Sequence, residues 1–139
     1  MAGALSNLPE TRFLEMIFPE QSNHYGTLFG GNALALMSKA AFVAASRHAR
    51  RDVVMASSEK VEFHSPVKVG QLVELEARVV RHGRSSMTVA VEMIAETLLS
   101  GKRVLAMCGQ FEMVALDDTG RPTAVEPQDL TVPSQESVA

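Results

Sequence analysis

One segment of this chain, residues 31–50, carries the only strong helical pattern, and it restricts the fold more than any other feature. Apolar residues recur along it at helical spacing and keep one face apolar. Much of that face is alanine, whose small side chain lets a helix backbone approach its neighbours closely. We therefore expect this helix to be buried against other elements. The basic residues in and just after its last turn suit the negative end of the helix dipole: Arg47, His48, Arg50 and Arg51.

Strand patterns surround the helix on both sides. Residues 12–18 predict a first strand, and residues 19–31 predict a loop that leads to the helix. Four later segments predict long strands separated by turn-forming residues: 53–63, 71–81, 86–98 and 103–116. One helix laid against a curved antiparallel sheet is an α+β architecture.

The chain divides into three predicted parts. Residues 1–11 are a lead-in, residues 12–120 form one domain, and residues 121–139 form an extended or disordered tail that lacks periodicity. A length of 139 residues with 46% hydrophobic residues fits one domain with its own core.

Charge and composition limit the classes of function. A net charge of −3 and only 5% aromatic residues argue against nucleic-acid binding, which needs a basic face or stacking aromatics. We see neither a secretory signal nor an apolar run long enough to span a bilayer. The expectation is a cytoplasmic protein that contacts no membrane.

The glycine pair at the start of the helix is the first candidate site. Unpaired N–H groups and the positive end of the dipole converge near Gly30 and Gly31, where they can hold an anion or a developing oxyanion. The glycines could equally serve only to make a tight turn. Upstream, Asn23 could form an Asx turn, and His24 could act as a base, although an exposed loop histidine is the commoner role.

The remaining histidines and the single cysteine show no metal-binding pattern. His48, His64 and His82 are scattered without ligand spacing, so we expect no metal and no cofactor. Cys108 lies within an apolar strand segment, which predicts inert core packing rather than a nucleophile.

A basic turn between two strands is the other candidate site. Its guanidinium and hydroxyl groups suit contacts with a phosphate, although a solvated hairpin turn would have the same composition. The turn comprises Gly83, Arg84, Ser85 and Ser86.

Three motifs in register resemble the hotdog-fold acyl-CoA thioesterases of the acyl-CoA hydrolase group. They are N-x-x-G-x-L-F-G-G at residues 23–31, F-H-x-P-V-x-V-G at 63–70 and G-R-S-S at 83–86. Their order and spacing agree with the family from about residue 12 to about residue 120. The resemblance implies a helix wrapped by an antiparallel sheet, two subunits paired edge to edge with active sites at their interface, and assembly as a trimer of dimers.

The same resemblance implies roles for individual residues. Asn23 would position water or substrate, and backbone N–H groups near Gly30 and Gly31 would polarise the thioester carbonyl. Residues 83–86 would bind the nucleotide end of CoA. An acidic residue on the helix of the other subunit would act as base or nucleophile.

Position 38 departs from the family pattern. Relatives carry a Met–Asp pair whose Asp lies seven residues after the second glycine, whereas this chain has Met37 and Ser38. A serine hydroxyl is not a base near neutral pH, and as a nucleophile it needs an adjacent base, which Met37 and Lys39 do not supply. The serine could be an inactivating substitution introduced to trap a ligand, a natural loss of activity, or a sign that another carboxylate such as Glu59 or Glu62 has taken over. We favour the first, because the surrounding residues match an active enzyme.

The sequence therefore favours an acyl-CoA thioesterase impaired by Ser38. The alternative is a non-catalytic acyl-CoA-binding protein or sensor. A dehydratase of the same fold ranks last, because its chemistry needs a histidine and an acid placed for proton transfer, and the helix offers no such pair.

Overall fold

The computed structural model describes residues 11–125. They form one long helix, a short 3-10 helix at Pro19–Gln21 and five strands. Each predicted element is present, and its ends differ from the prediction by no more than two residues. The elements are β1 (Thr11–Met16), α1 (Gly30–Ala49), β2 (Asp52–Phe63), β3 (Leu72–His82), β4 (Ser86–Glu96) and β5 (Arg103–Leu116).

The strands form a single antiparallel sheet in the order β1-β3-β4-β5-β2. Helix α1 packs across one face of this sheet and contacts every strand. The α+β prediction is confirmed, because one helix lies against a five-stranded antiparallel sheet. β1 and β2 are the two edges, and β2 is the longer of them.

The buried face of α1 is built mainly from alanine, as the sequence predicts. Met37, Ala40, Ala41 and Ala45 have no exposed surface. They meet the inward-pointing residues of the sheet, which alternate along each strand because successive side chains point to opposite faces. Burying each of the larger apolar side chains contributes about 1.5–3 kcal/mol relative to leaving it exposed. The inward set that is fully buried includes Val73, Leu75, Met87, Val89, Met93, Phe111 and Met113.

The helix-free face of the sheet carries an ion network at one end. Glu74 is only 8% exposed and lies 2.6 Å from Arg103 and 3.1 Å from Arg12. Arg103 also bonds Glu96 at 2.8 Å. The hydrogen bond from Arg103 lowers the pKa of Glu74, with further lowering by the charge of Arg12. The carboxylate of Glu74 is thus nearly buried, whereas the arginine side chains that compensate its charge are about half exposed.

Residues 121–125 lie against the end of the sheet. Pro122 forms a bridge with Leu116, and the N–H of the buried Val125 donates to the carbonyl of Arg84 at 2.7 Å. The rest of the predicted tail and nearly all of the lead-in, residues 126–139 and 1–10, lie outside the described residues.

Within residues 11–125 no helix is both long enough and apolar enough to cross a membrane.

Candidate active site

The loop before α1 is organised around the side chain of Asn23. Its Oδ1 accepts three hydrogen bonds, from the N–H of Tyr25 at 2.9 Å and from the N–H and Oγ1 of Thr27 at 3.2 and 3.1 Å. The Asx turn considered from the sequence is therefore present. Across residues 11–125 the Nδ2 group of Asn23 has no hydrogen-bond acceptor. It remains a donor for a ligand or water.

The loop residue His24 is exposed, and its ring lies against Tyr25 with 4.0 Å between the ring centroids. It is not among the residues that line the two cavities described below. The geometry therefore gives it no part in the site.

The first turn of α1 is held in place by Gln21. The carbonyl of Gln21 accepts from the N–H of Phe29 and from Nδ2 of Asn32, both at 3.0 Å. The first intrahelical bond runs from Ala33 to Phe29 at 2.9 Å, so the N–H groups of residues 30–32 precede it and lack intrahelical acceptors. The helix start near Gly30 and Gly31 therefore has the N–H groups on which the predicted polarising role depends.

Close packing explains Gly31, and a turn that needs positive φ explains neither glycine of the pair. Neither Gly30 nor Gly31 has a positive φ. A Cβ on Gly31 would lie 2.8 Å from the ring of Phe29, and one on Gly30 would lie 3.7 Å from the ring of Phe63. The two rings thus approach the helix start closely, and the absence of side chains leaves its N–H groups accessible.

A cavity of about 310 Å³ opens beside this terminus. Its walls are mostly apolar, with Thr27 and Ser65 as hydroxyl-bearing members. Such a mixture suits a ligand with an apolar body and a single polar group. The lining residues are Thr27, Leu28, Gly30, Ala33, Phe63, His64, Ser65, Pro66, Val67 and Met107.

Ser38 lines a second cavity of about 320 Å³, together with Ala35, Lys39, Phe42, Met55 and Met113. Its Oγ donates a hydrogen bond to the carbonyl of Ala35 at 3.1 Å. None of the lining residues is a carboxylate or a histidine, so this cavity offers Ser38 no base to activate it.

Within one copy of the chain the two cavities are separate. Ser38 lies seven residues past Gly31, about 10 Å along the helix axis. Both cavities reach β2, however: Phe63 lines the first and Met55 lines the second. Glu59 and Glu62, the carboxylates considered as substitutes for the missing acid, line neither.

The basic turn forms the β3–β4 hairpin. The N–H of Gly83 donates to the carbonyl of Ser86 at 2.9 Å, and the carbonyl of Ser85 accepts from Ala115 at 2.9 Å. Arg84 has its carbonyl bonded to Val125 and is exposed. None of the four residues lines either cavity, so a ligand that reaches both the hairpin and the helix start must be long.

The sequence expectation that Cys108 packs in the core was wrong, whereas the expectation of no metal site stays a prediction. Cys108 is half-buried rather than part of the core, and its Sγ lies 3.5 Å from Nε2 of His64 and 3.7 Å from Oε1 of Glu62. The pKa of Cys108 is raised by burial and by the negative charge of Glu62, which disfavours a free thiolate nucleophile. Only the pairing of β2 with β5 brings these residues together, so spacing along the chain gave no signal.

Comparisons with known proteins agree with this fold. The thioesterase superfamily model matches residues 25–101. An uncharacterized acyl-CoA thioester hydrolase of Bacillus subtilis is 39% identical over 125 residues, which cover 84% of this chain and 73% of the relative. A solved apo-hexameric acyl-CoA thioesterase is 40% identical with a TM-score of 0.82, covering 86% of this chain and 79% of that one.

A third relative is the acyl-CoA hydrolase of Staphylococcus aureus, solved in complex with butyryl-CoA, CoA and CoA disulfide. It is 35% identical with a TM-score of 0.80, covering 86% of this chain and 75% of that one. These matches confirm the hotdog fold implied by the sequence motifs, and the chain belongs to the thioesterase superfamily, among the acyl-CoA thioester hydrolases.

Proposed function

We propose that this chain hydrolyses acyl-CoA thioesters to a free acid and CoA, at a site that two copies of the chain share and that Ser38 slows. The observation that carries the proposal is the open N-terminus of α1, which lies beside an apolar cavity and follows the Asn23 loop. A thioester needs these features: donors for its carbonyl and an apolar space for its acyl chain.

The chemistry follows from the charge that develops on the carbonyl oxygen. As water attacks the thioester carbon, negative charge grows on that oxygen, and the N–H groups near Gly30 and Gly31 stabilise it. The Nδ2 group of Asn23 positions the water or the substrate. The attacking water loses a proton to solvent water, because Ser38 is no base. The C–S bond then breaks, and the CoA thiolate leaves and takes up a proton from solvent. No metal or cofactor enters this scheme.

The exposed edge strand β2 supports pairing with a second copy. Its residues Val54, Met55 and Phe63 are 47%, 45% and 61% exposed. A long edge with apolar side chains is a template for pairing. When two such strands pair antiparallel, the Met55 end of one approaches the Phe63 end of the other. The Ser38 cavity of one copy then adjoins the helix-start cavity of its neighbour, so a homodimer completes the site.

Assembly of such dimers into a trimer of dimers is the further proposal. One solved relative is described as hexameric, which supports it. The residues of the Gly83–Ser86 hairpin are proposed to hold the phosphates of CoA, through the exposed guanidinium of Arg84 and the neighbouring hydroxyl groups.

The alternative, a non-catalytic acyl-CoA-binding protein, rests on the missing acid alone. Ser38 and its cavity provide no base, which favours slow or absent turnover in this sequence. The relatives are named hydrolases, and the polarising terminus retains its geometry, so hydrolysis is the better-supported function.

Thiol release from a panel of acyl-CoAs tests the function. We expect slow release by this chain and fast release by Ser38→Asp, with the same products. If Ser38→Asp bound acyl-CoA but released no thiol above background, the non-catalytic alternative would replace our proposal.

A mixing experiment tests whether the site is shared. The double variant Asn23→Ala, Ser38→Asp lacks the loop donor, and the parent chain lacks the acid. Refolded together, the two proteins form mixed dimers in which one site has both groups, so thiol release should exceed the sum of the separate proteins. Mixing parent chain with Asn23→Ala alone is the control. Purely additive rates would place both groups in one copy.

A further inference from the structure

Three side chains that take no part in the proposed hydrolytic step converge on the helix-free face of the sheet, although His64 also lines the helix-start cavity. Glu62 lies at the end of β2, His64 follows it, and Cys108 lies opposite Glu62 on β5. The atoms Oε1 of Glu62, Nε2 of His64 and Sγ of Cys108 all lie within 4.8 Å of one another. One carboxylate, one imidazole and one thiol form a donor set that divalent metal ions of the zinc class prefer.

The separations match a metal site better than a hydrogen-bonded cluster. The three distances are 3.3 Å between Nε2 and Oε1, 3.5 Å between Sγ and Nε2, and 3.7 Å between Sγ and Oε1. Tetrahedral zinc with ordinary bond lengths places pairs of such ligand atoms about 3.3–3.7 Å apart. A direct N–H···O bond is commonly about 2.9–3.0 Å, so the 3.3 Å between Nε2 and Oε1 is long for one. The two separations that involve sulfur also allow weak hydrogen bonds of the thiol.

The geometry also distinguishes a metal site from a nucleophilic triad. In a Cys–His–acid triad the thiol bonds one ring nitrogen and the acid bonds the other. Here Glu62 and Cys108 both approach Nε2 of His64. The three donor atoms lie close enough together for one ion to contact all of them.

A bulge in β2 creates this convergence. Glu59 pairs with Gln110, whereas Glu62 pairs with Cys108, so β2 has one residue more than β5 over this stretch. Lys60, within the bulge, has a φ of 54°, in the left-handed region. In regular register Val61 would lie opposite Cys108. Bulges redirect side chains in this way, and this one brings the carboxylate of Glu62 beside the thiol.

We propose that Glu62, His64 and Cys108 form a three-ligand site for a divalent metal ion of the Zn²⁺ class, with water in the fourth position. In a single copy of the chain the side chains of Glu62 and His64 are 61% and 41% exposed, so an ion can reach them before β2 pairs with a second copy. It links the end of β2 to β5. It also fixes the segment that begins at His64 and lines the cavity beside the α1 terminus.

The test is metal titration of the full chain, free of affinity tags and with a non-thiol reductant. Co²⁺ should give a thiolate-to-metal charge-transfer band and the visible bands of tetrahedral cobalt, and Zn²⁺ should displace it. Zn²⁺ should also raise the Tm of the parent chain, because an ion that binds only the folded state stabilises it.

Variants identify the ligands. Cys108→Ser should abolish the charge-transfer band and the rise in Tm. His64→Gln and Glu62→Gln should each lower the metal affinity by more than about 100-fold. Replacing a residue that only supports a metal ligand typically lowers the affinity by about 10- to 100-fold. The matched controls Glu59→Gln, on the same strand, and His24→Gln, in the exposed loop, should leave the affinity unchanged.

Two outcomes would overturn the site. One is a parent chain that shows no charge-transfer band with Co²⁺. The other is binding that depends on Cys108 but not on His64 or Glu62, which would indicate a lone reactive thiol. Because Glu62 and His64 are exposed, their variants should remain folded, and circular dichroism of each variant checks this.

Discussion

The first turn of α1 and the middle of the same helix differ in how much of the proposed thioesterase site they retain. Within residues 11–125 the N–H groups of Gly30 and Gly31 lack intrahelical acceptors, and in the preceding loop the Nδ2 group of Asn23 has no acceptor. Two turns later Ser38 lies in a cavity without a base. Polarisation of the carbonyl uses backbone groups that the fold itself provides, whereas proton transfer depends on a single side chain. A fold can therefore keep its binding half while one substitution removes its catalytic half.

The largest expected effect comes from restoring an acid at the middle of the helix. Ser38→Asp should raise kcat for acyl-CoA hydrolysis by about 10²–10⁴-fold, the usual contribution of a positioned general base. The control is Ser38→Asn. Its side chain has nearly the same shape as that of Asp but cannot act as a base, so kcat should not rise. Equal rates for the parent chain and Ser38→Asp would show that another residue is the base. Position 38 would then have no part in catalysis.

The second-largest effect is expected at Asn23, in the loop before the first turn of α1. In the Ser38→Asp background, Asn23→Ala should lower kcat by about 10²-fold, as removal of one positioned donor does in other sites. Because Oδ1 of Asn23 also holds the loop, Asn23→Asp is the second variant: it can keep the Oδ1 bonds but loses the Nδ2 donor. If Asn23→Asp kept the full rate, the role of Asn23 would be structural only.

CoA binding should change less, and independently of either half of the helix. Arg84→Ala should weaken CoA binding by about 1–3 kcal/mol, the usual size for a hydrogen bond to a charged group. The loss should shrink as salt rises, because an exposed phosphate contact is screened. Lys102→Ala, which removes one charge from a different turn, is the control. An unchanged Kd for Arg84→Ala at low salt would move the nucleotide site elsewhere.

The smallest effect concerns the far end of α1. Burial, with a further contribution from His82, lowers the pKa of His48 below its ordinary value of 6.5. The unfolded chain therefore binds this proton more readily than the folded chain. The free energy of unfolding should fall as the pH drops from about 7.5 through 6.5 and towards the lowered pKa. His48→Gln should reduce that pH dependence in chemical denaturation, and an unaltered profile would contradict it.

Much of the fold could be predicted because its local patterns agree with its tertiary contacts. The alternation of Met87, Val89 and Val91 marks a strand with one buried face, and the alanine-rich stripe of α1 predicts a buried helix. In the site, the motif around Asn23 and the glycine pair could be located from the sequence. The reason for a glycine at position 31 could not be predicted from the sequence. It depends on the ring of Phe29, which packs too close to leave room for a Cβ at Gly31.

The sequence by itself determined the order of elements and the family, since both are written in short runs of residues, and it predicts the departure at Ser38. Only the tertiary structure decided which distant residues meet. It separated Ser38 from the helix start within one copy, and it placed Glu62 opposite Cys108. The physical reason is that strand register and bulges depend on pairing partners far along the chain, and a shift of one residue turns a side chain to the other face of the sheet.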